Sequence, residues 1–90
     1  MTTSFHGKVA LVLGQLHPTG REIAELLVDA GAEIVLASSD RASGQAFAQQ
    51  LGTAVLYLPL DGLPEEQLSR LMAMTIEAFG RIDLLVIPLR

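Results

Sequence analysis

The 90-residue sequence has no cysteine and no tryptophan, and it is poor in basic residues. Without cysteine it has neither a disulfide framework nor a thiolate metal site. The two histidines, His6 and His17, have no acidic neighbours spaced to complete a metal site. Lysine and arginine number 6 against 10 acidic residues, and the net charge of −4 argues against a nucleic-acid or anionic-membrane partner.

Long apolar runs are also missing. No run approaches the roughly 20 residues of a membrane span. The opening MTTSFHGK lacks the basic-then-apolar order of a signal peptide. These absences together predict a cytoplasmic protein that binds neither a metal nor a membrane.

Hydrophobic residues make up 50% of the chain and fall into short apolar runs separated by amphipathic segments. The runs predict strands buried on both faces. These strands cover residues 8–13, 33–38, 54–58 and 82–87. A 3.6-residue apolar spacing between them predicts helices. The helices cover residues 21–30, 40–51 and 65–79.

The order β-α-β-α-β-α-β predicts the fold. Residues 1–90 are expected to form a single partial domain of the α/β class, a Rossmann-like three-layer half-domain. Its parallel four-stranded sheet has helices on both faces, and right-handed crossovers give the strand order 3-2-1-4. The apolar spacing also places specific side chains in the core, namely Ile23, Leu26, Leu27, Ala30 and Met72.

Four segments follow one another in an order typical of one protein family. They read GKVALVLG at 7–14, GREIAELLVDAGAEIVLAS at 20–38, LD at 60–61 and FGRIDLLV at 79–86. Over nearly the whole chain they resemble the short-chain dehydrogenase/reductases. The resemblance implies the NAD(P)-binding half of an oxidoreductase.

The turn after the first strand is the expected diphosphate site. A glycine turn that enters a helix offers free N–H groups and the positive end of the helix dipole. Family members usually read Thr-Gly-x-x-x-Gly-x-Gly here, whereas this chain reads LGQLHPTG at 13–20. Leu13 loses the threonine hydroxyl, and Pro18 replaces the middle glycine, deleting one N–H and adding a ring.

Two interpretations of this turn remain open. In one it binds the cofactor, with an affinity that Pro18 reduces. In the other it is purely structural, because Thr19 and Glu22 stand in capping-box register and would place Thr19 at the helix N-cap.

The resemblance implies cofactor contacts at Gly14, Gln15, His17, Thr19, Gly20, Ser38, Ser39, Arg41 and Asp61. Ser38 and Ser39 stand where NAD-specific members carry an acidic residue for the ribose 2′-hydroxyl. Because no carboxylate stands there, and because Arg41 and His17 suit a 2′-phosphate, the sequence favours NADP over NAD. Each of these residues also has an interpretation without a cofactor. Arg41 would then be a solvated residue at a helix start, His17 an exposed turn residue and Asp61 a helix cap.

The family's catalytic residues have no counterpart here. A serine and a Tyr-x-x-x-Lys pair perform the acid/base chemistry. This chain has one tyrosine, Tyr57, followed four residues later by Asp61, and its single lysine is Lys8. The family's Asn-Asn-Ala-Gly after the fourth strand reads IPLR at 87–90. We therefore expect these residues alone to be catalytically inactive.

These departures from the family pattern leave three hypotheses for the function of the chain. The chain is the NAD(P)-binding module of an oxidoreductase, a degenerate module for nucleotide sensing or assembly, or a relic without a ligand. In the 3-2-1-4 order the fourth strand lies at an edge, where unpaired backbone groups favour pairing with another chain. We therefore expect self-association or docking through residues 82–87.

Overall fold

The computed structural model describes residues 4–13, 18–60 and 64–87, with the backbone alone described at 18–20 and 64–65. Strands and helices alternate along these residues. They are β1 (Val9–Leu13), α1 (Pro18–Asp29), β2 (Glu33–Ser38), α2 (Arg41–Leu51), β3 (Val55–Pro59), α3 (Pro64–Phe79) and β4 (Leu84–Val86). The predicted α/β alternation is confirmed, with most boundaries within two or three residues of those expected.

The four strands form one parallel sheet in the order β3-β2-β1-β4, as predicted. β1 lies in the interior of the sheet, where Leu11 pairs with Val35 of β2 on one side and Leu85 of β4 on the other. All five β1 residues are buried, which explains the uninterrupted apolar run.

The two faces of the sheet have separate cores. On one face Ala10, Val12, Ile34 and Leu36 pack beneath α1 and α2, in a cluster that includes Phe47. On the other face, residues of β1 and β2 pack beneath α3. They are Leu11, Leu13, Val35 and Ala37, which contact the buried Leu71. Because α1 and α2 lie opposite α3, the sheet has the three layers expected from the sequence.

The predicted start of α1 is wrong. The helix begins at Pro18, so Thr19 is its second residue, not its N-cap, and Glu22 lies too far along for a capping box. Proline is favoured at the first helical position, because its fixed φ suits the helix and its missing N–H would have had no intrahelical partner.

The predicted buried face of α1 is also wrong in part. Leu26 is 68% exposed, whereas Ala24 and Leu27 are buried against the sheet. Adjacent helical residues differ by about 100°, so a face centred on Ala24 and Leu27 turns Leu26 outward.

The third helix and fourth strand depart from expectation in similar ways. Met72 is 36% exposed, because α3 buries the face that carries Leu71 and Thr75. The buried Thr75 hydroxyl donates a hydrogen bond to the Leu71 carbonyl oxygen at 2.7 Å. β4 covers only Leu84–Val86, shorter than the predicted 82–87.

Asp83 holds the start of β4 against β1. Its backbone N–H donates to the Val9 carbonyl at 2.8 Å, and its carboxylate accepts from the Val9 N–H at 2.9 Å. Arg81 donates to the same carboxylate at 2.6 Å. The Arg81 hydrogen bond, followed by the bond from Val9, lowers the pKa of Asp83.

Candidate functional site

The carboxyl ends of the parallel strands meet at one edge of the sheet. At the centre of this edge, β1 lies between β2 and β4. The helix that follows β1, α1, covers one face of the sheet, and the helix that precedes β4, α3, covers the other. A crevice at such a switch point is where open α/β sheets bind ligands. The topology therefore places the candidate site beside the end of β1.

The N-terminus of α1 lies at this edge and supplies backbone donors. Pro18 is the first helical residue and brings no N–H. Thr19 and Gly20 follow it in the first turn, where backbone N–H groups have no intrahelical acceptor. The first turn of α1 thus keeps two backbone amides of the kind that bind anions at helix N-termini.

Several predicted contacts fall outside what the structure describes. Gly14, Gln15, His17 and Asp61 lie outside the described residues, as does the side chain of Thr19. Their roles stay predictions from the resemblance. The described part of the candidate site is therefore the helix start and the turn from β2 to α2.

In that turn, Ser38 and its neighbours have different surroundings. Ser38 is 1% exposed, and its Oγ lies 3.3 Å from both the Asp40 carbonyl oxygen and the Tyr57 hydroxyl. Its side chain therefore supports the turn from within. Ser39 and Arg41 are exposed, and Arg41 forms no ion pair with any described residue.

Asp40 is a carboxylate in this turn that the sequence analysis did not include in the site. It caps α2 by accepting from the Ser43 N–H at 3.1 Å and from the Ser43 hydroxyl at 3.0 Å. These two bonds, the backbone one first, lower the pKa of Asp40, so the carboxylate is charged at neutral pH. The Asp-x-x-Ser spacing was the available signal, because it is typical of a helix N-cap.

No group of three or more His, Cys, Asp or Glu side chains within 4–13, 18–60 and 64–87 is placed to hold a metal ion. No helix in the described part of the chain has the length and apolarity needed to cross a membrane.

Comparison with known proteins decides the family. The model of the short chain dehydrogenase family matches residues 8–87. The chain belongs to this family. It is similar to the L-fucose dehydrogenase of Mus musculus, with 36% identity over 84 residues that cover 93% of this chain and 30% of that protein. It is also similar to the short chain dehydrogenase/reductase astE of Aspergillus oryzae, with 38% identity over 87 residues, 92% of this chain and 33% of that protein.

The solved structures agree with this family membership. A short-chain dehydrogenase/reductase from Brucella melitensis, described as a glucose/ribitol dehydrogenase, superposes with a TM-score of 0.85 at 32% identity. The match covers 94% of this chain and 37% of that one. The chain thus spans about a third of the length of the family members it matches.

Proposed function

We propose that this chain binds a nicotinamide dinucleotide across the carboxyl ends of β1 and β2. The diphosphate would lie at the start of α1 and the adenosine ribose beside the β2–α2 turn. The observation that carries the proposal is the position of Pro18 at the first residue of α1. There the proline removes one anchoring N–H, while the amides of Thr19 and Gly20 remain in the first turn.

The test is a calorimetric titration of the chain with NADPH. One lost charge-assisted hydrogen bond costs about 1.5–3 kcal/mol, or roughly one to two decades in affinity. We therefore expect saturable binding that becomes tighter in Pro18→Gly, which restores the amide. Arg70→Ala is the control, because Arg70 is exposed on α3, away from the proposed site. If neither the wild-type chain nor Pro18→Gly binds, the proposal is wrong.

We further propose that the site prefers NADP over NAD. Support comes from the exposed guanidinium of Arg41, which forms no ion pair with a described residue and lies two positions after the exposed Ser39. The negative carboxylate of Asp40 would repel a 2′-phosphate, but both of its oxygens accept hydrogen bonds from Ser43. We therefore expect the attraction of the Arg41 guanidinium for a 2′-phosphate to outweigh the repulsion by Asp40, whose carboxylate is engaged as the α2 cap.

Arg41→Ala tests the preference. We expect NADPH affinity to fall about tenfold, the effect of losing one charge-assisted contact, while NADH affinity stays within about twofold. Equal losses for the two nucleotides would contradict a role for Arg41 at the 2′-phosphate.

The chain would serve as the NAD(P)-binding portion of a short-chain dehydrogenase-like oxidoreductase and would be inactive by itself. Tyr57, its single tyrosine, is buried in part and donates its hydroxyl to the Ser38 carbonyl at 2.6 Å. Lys8 precedes β1, at the opposite edge of the sheet from the proposed site. We expect no carbonyl reduction by the chain with NADPH, and turnover would refute this assignment.

We also propose that the chain is located in the cytoplasm, and microscopy of the tagged chain tests this location.

A second candidate function, assembly, is favoured by the apolar surface around β4. The outer side of β4 has no partner strand among the described residues. Beside it Leu85 is 42% exposed and Ile87 is 48% exposed. We propose that the chain self-associates or docks on another protein through this edge.

Light scattering after size-exclusion chromatography tests the assembly proposal. We expect a mass above that of the monomer at low micromolar concentration, and a monomer for Leu85→Lys/Ile87→Lys. Leu26→Lys is the matched control, because Leu26 is an exposed leucine on α1. A wild-type monomer would contradict self-association.

A further inference from the structure

The hydroxyl of Tyr57 lies at the point where β2 ends and the turn to α2 begins. Tyr57 pairs with Leu36 in the sheet, and its side chain reaches along β2 to donate to the Ser38 carbonyl at 2.6 Å. The same carbonyl accepts the Leu60 N–H at 3.0 Å. Two donors from β3 and the residue after it therefore fix the last carbonyl of β2.

The Ser38 hydroxyl extends this contact into the turn. Its Oγ lies 3.3 Å from the Tyr57 hydroxyl and 3.3 Å from the Asp40 carbonyl oxygen. The Asp40 carbonyl also accepts the Gly44 N–H at 2.9 Å in the first turn of α2. A chain of hydrogen bonds thus runs from β3 through the end of β2 to the start of α2.

The ring of Tyr57 packs closely against α2 at Gly44. A Cβ placed on Gly44 would lie 2.1 Å from Tyr57 Cε1 and 2.8 Å from Ser38 Oγ. Since real Cβ atoms do not approach other atoms this closely, α2 and β3 can pack at this distance only with glycine at position 44. The close approach at Gly44 therefore places the ring so that its hydroxyl reaches the Ser38 carbonyl.

We propose that Tyr57 is a positioning residue, which fixes the β2–α2 turn so that Ser39 and Arg41 present a preorganised surface to the adenosine end of a dinucleotide. The inference rests on the proposed function of the site. Tyr57 itself touches no ligand in this account. It acts through the Ser38 carbonyl and hydroxyl, and a turn already fixed loses less conformational freedom on binding.

Tyr57→Phe is the test, because it removes the hydroxyl and keeps the ring against Gly44. Losing a neutral hydrogen bond should raise amide hydrogen exchange about 3- to 10-fold at Leu60 and Gly44, whose N–H groups donate to the Ser38 and Asp40 carbonyls, and should weaken NADPH by a similar factor. NADH should weaken less, because it lacks the 2′-phosphate that Arg41 is proposed to contact. Val55→Ala is the matched control, since Val55 packs on the same face of β3 and contacts the same core.

Val55→Ala should lower stability and leave both the exchange in the turn and the NADPH-to-NADH affinity ratio unchanged. Unchanged exchange at Leu60 and Gly44 in Tyr57→Phe would overturn the inference. So would equal weakening of the two nucleotides. If the wild-type chain binds neither nucleotide, the proposed function fails, and the exchange measurement still decides whether Tyr57 fixes the turn.

Discussion

Replacing Gly44 with alanine should destabilise the chain, although alanine is the better helix former. In an open helix the exchange stabilises by about 1 kcal/mol. Here the new Cβ would lie 2.1 Å from Tyr57 Cε1, and the ring is held by its hydrogen bond to Ser38. Overpacking of a tight core costs about 1–3 kcal/mol or more. Because this contact is far inside the normal limit, we expect the upper end and a net loss of about 1–2 kcal/mol.

Urea denaturation followed by far-UV circular dichroism measures this loss. The midpoint should fall while the dependence of the free energy of unfolding on urea stays constant. Gln45→Ala, at the next and exposed position of α2, is the control and should change stability by less than about 0.5 kcal/mol. Tyr57→Val removes the obstructing ring, so Gly44→Ala should be less harmful in that background. If Gly44→Ala were as stable as the wild type, α2 and β3 would not be in the close contact described.

The remaining predictions concern charge and a buried hydroxyl. Asp40 and Asp83 have lowered pKa values, so they stabilise the fold above their unfolded pKa of about 3.8. That contribution is lost as the pH falls through their folded values, and acid titration of Asp83→Asn should show a weaker pH dependence than the wild type. A parallel curve would contradict the role of Asp83. The free energy of unfolding of Thr75→Val, measured by urea denaturation, should stay within about 1 kcal/mol of the wild type. The isosteric change removes the buried hydroxyl, and the Leu71 carbonyl that it bonded remains within the helix. A larger loss would show a further role for Thr75.

The architecture was predictable from the sequence because local signals and topology rules agree. Apolar runs placed β1 and β2, glycines marked the ends of helices, and crossover handedness gave the strand order. Signals that compete locally were less reliable. Thr19 and Pro18 both mark helix starts, and the proline prevailed because its conformation suits the first helical position.

The site was less predictable because its geometry depends on contacts between distant residues. The cofactor contact expected at Ser38 stays a prediction, but the sequence did not indicate that its hydroxyl lies beneath the turn against Tyr57. That contact joins residues 19 positions apart and depends on the close approach at Gly44. No local pattern reveals such a pairing. The capping role of Asp40 could have been predicted, because its spacing to Ser43 is visible in the sequence.

The most direct test of the central claim is calorimetric titration of the 90-residue chain with NADPH, repeated in the presence of 2′,5′-ADP. If the start of α1 and the β2–α2 turn hold a dinucleotide, the titration will saturate at one molecule per chain. The adenosine fragment will then compete, and Arg41→Ala will weaken both ligands. Absence of saturable heat at millimolar NADPH, in the wild type and in Pro18→Gly alike, would contradict the claim.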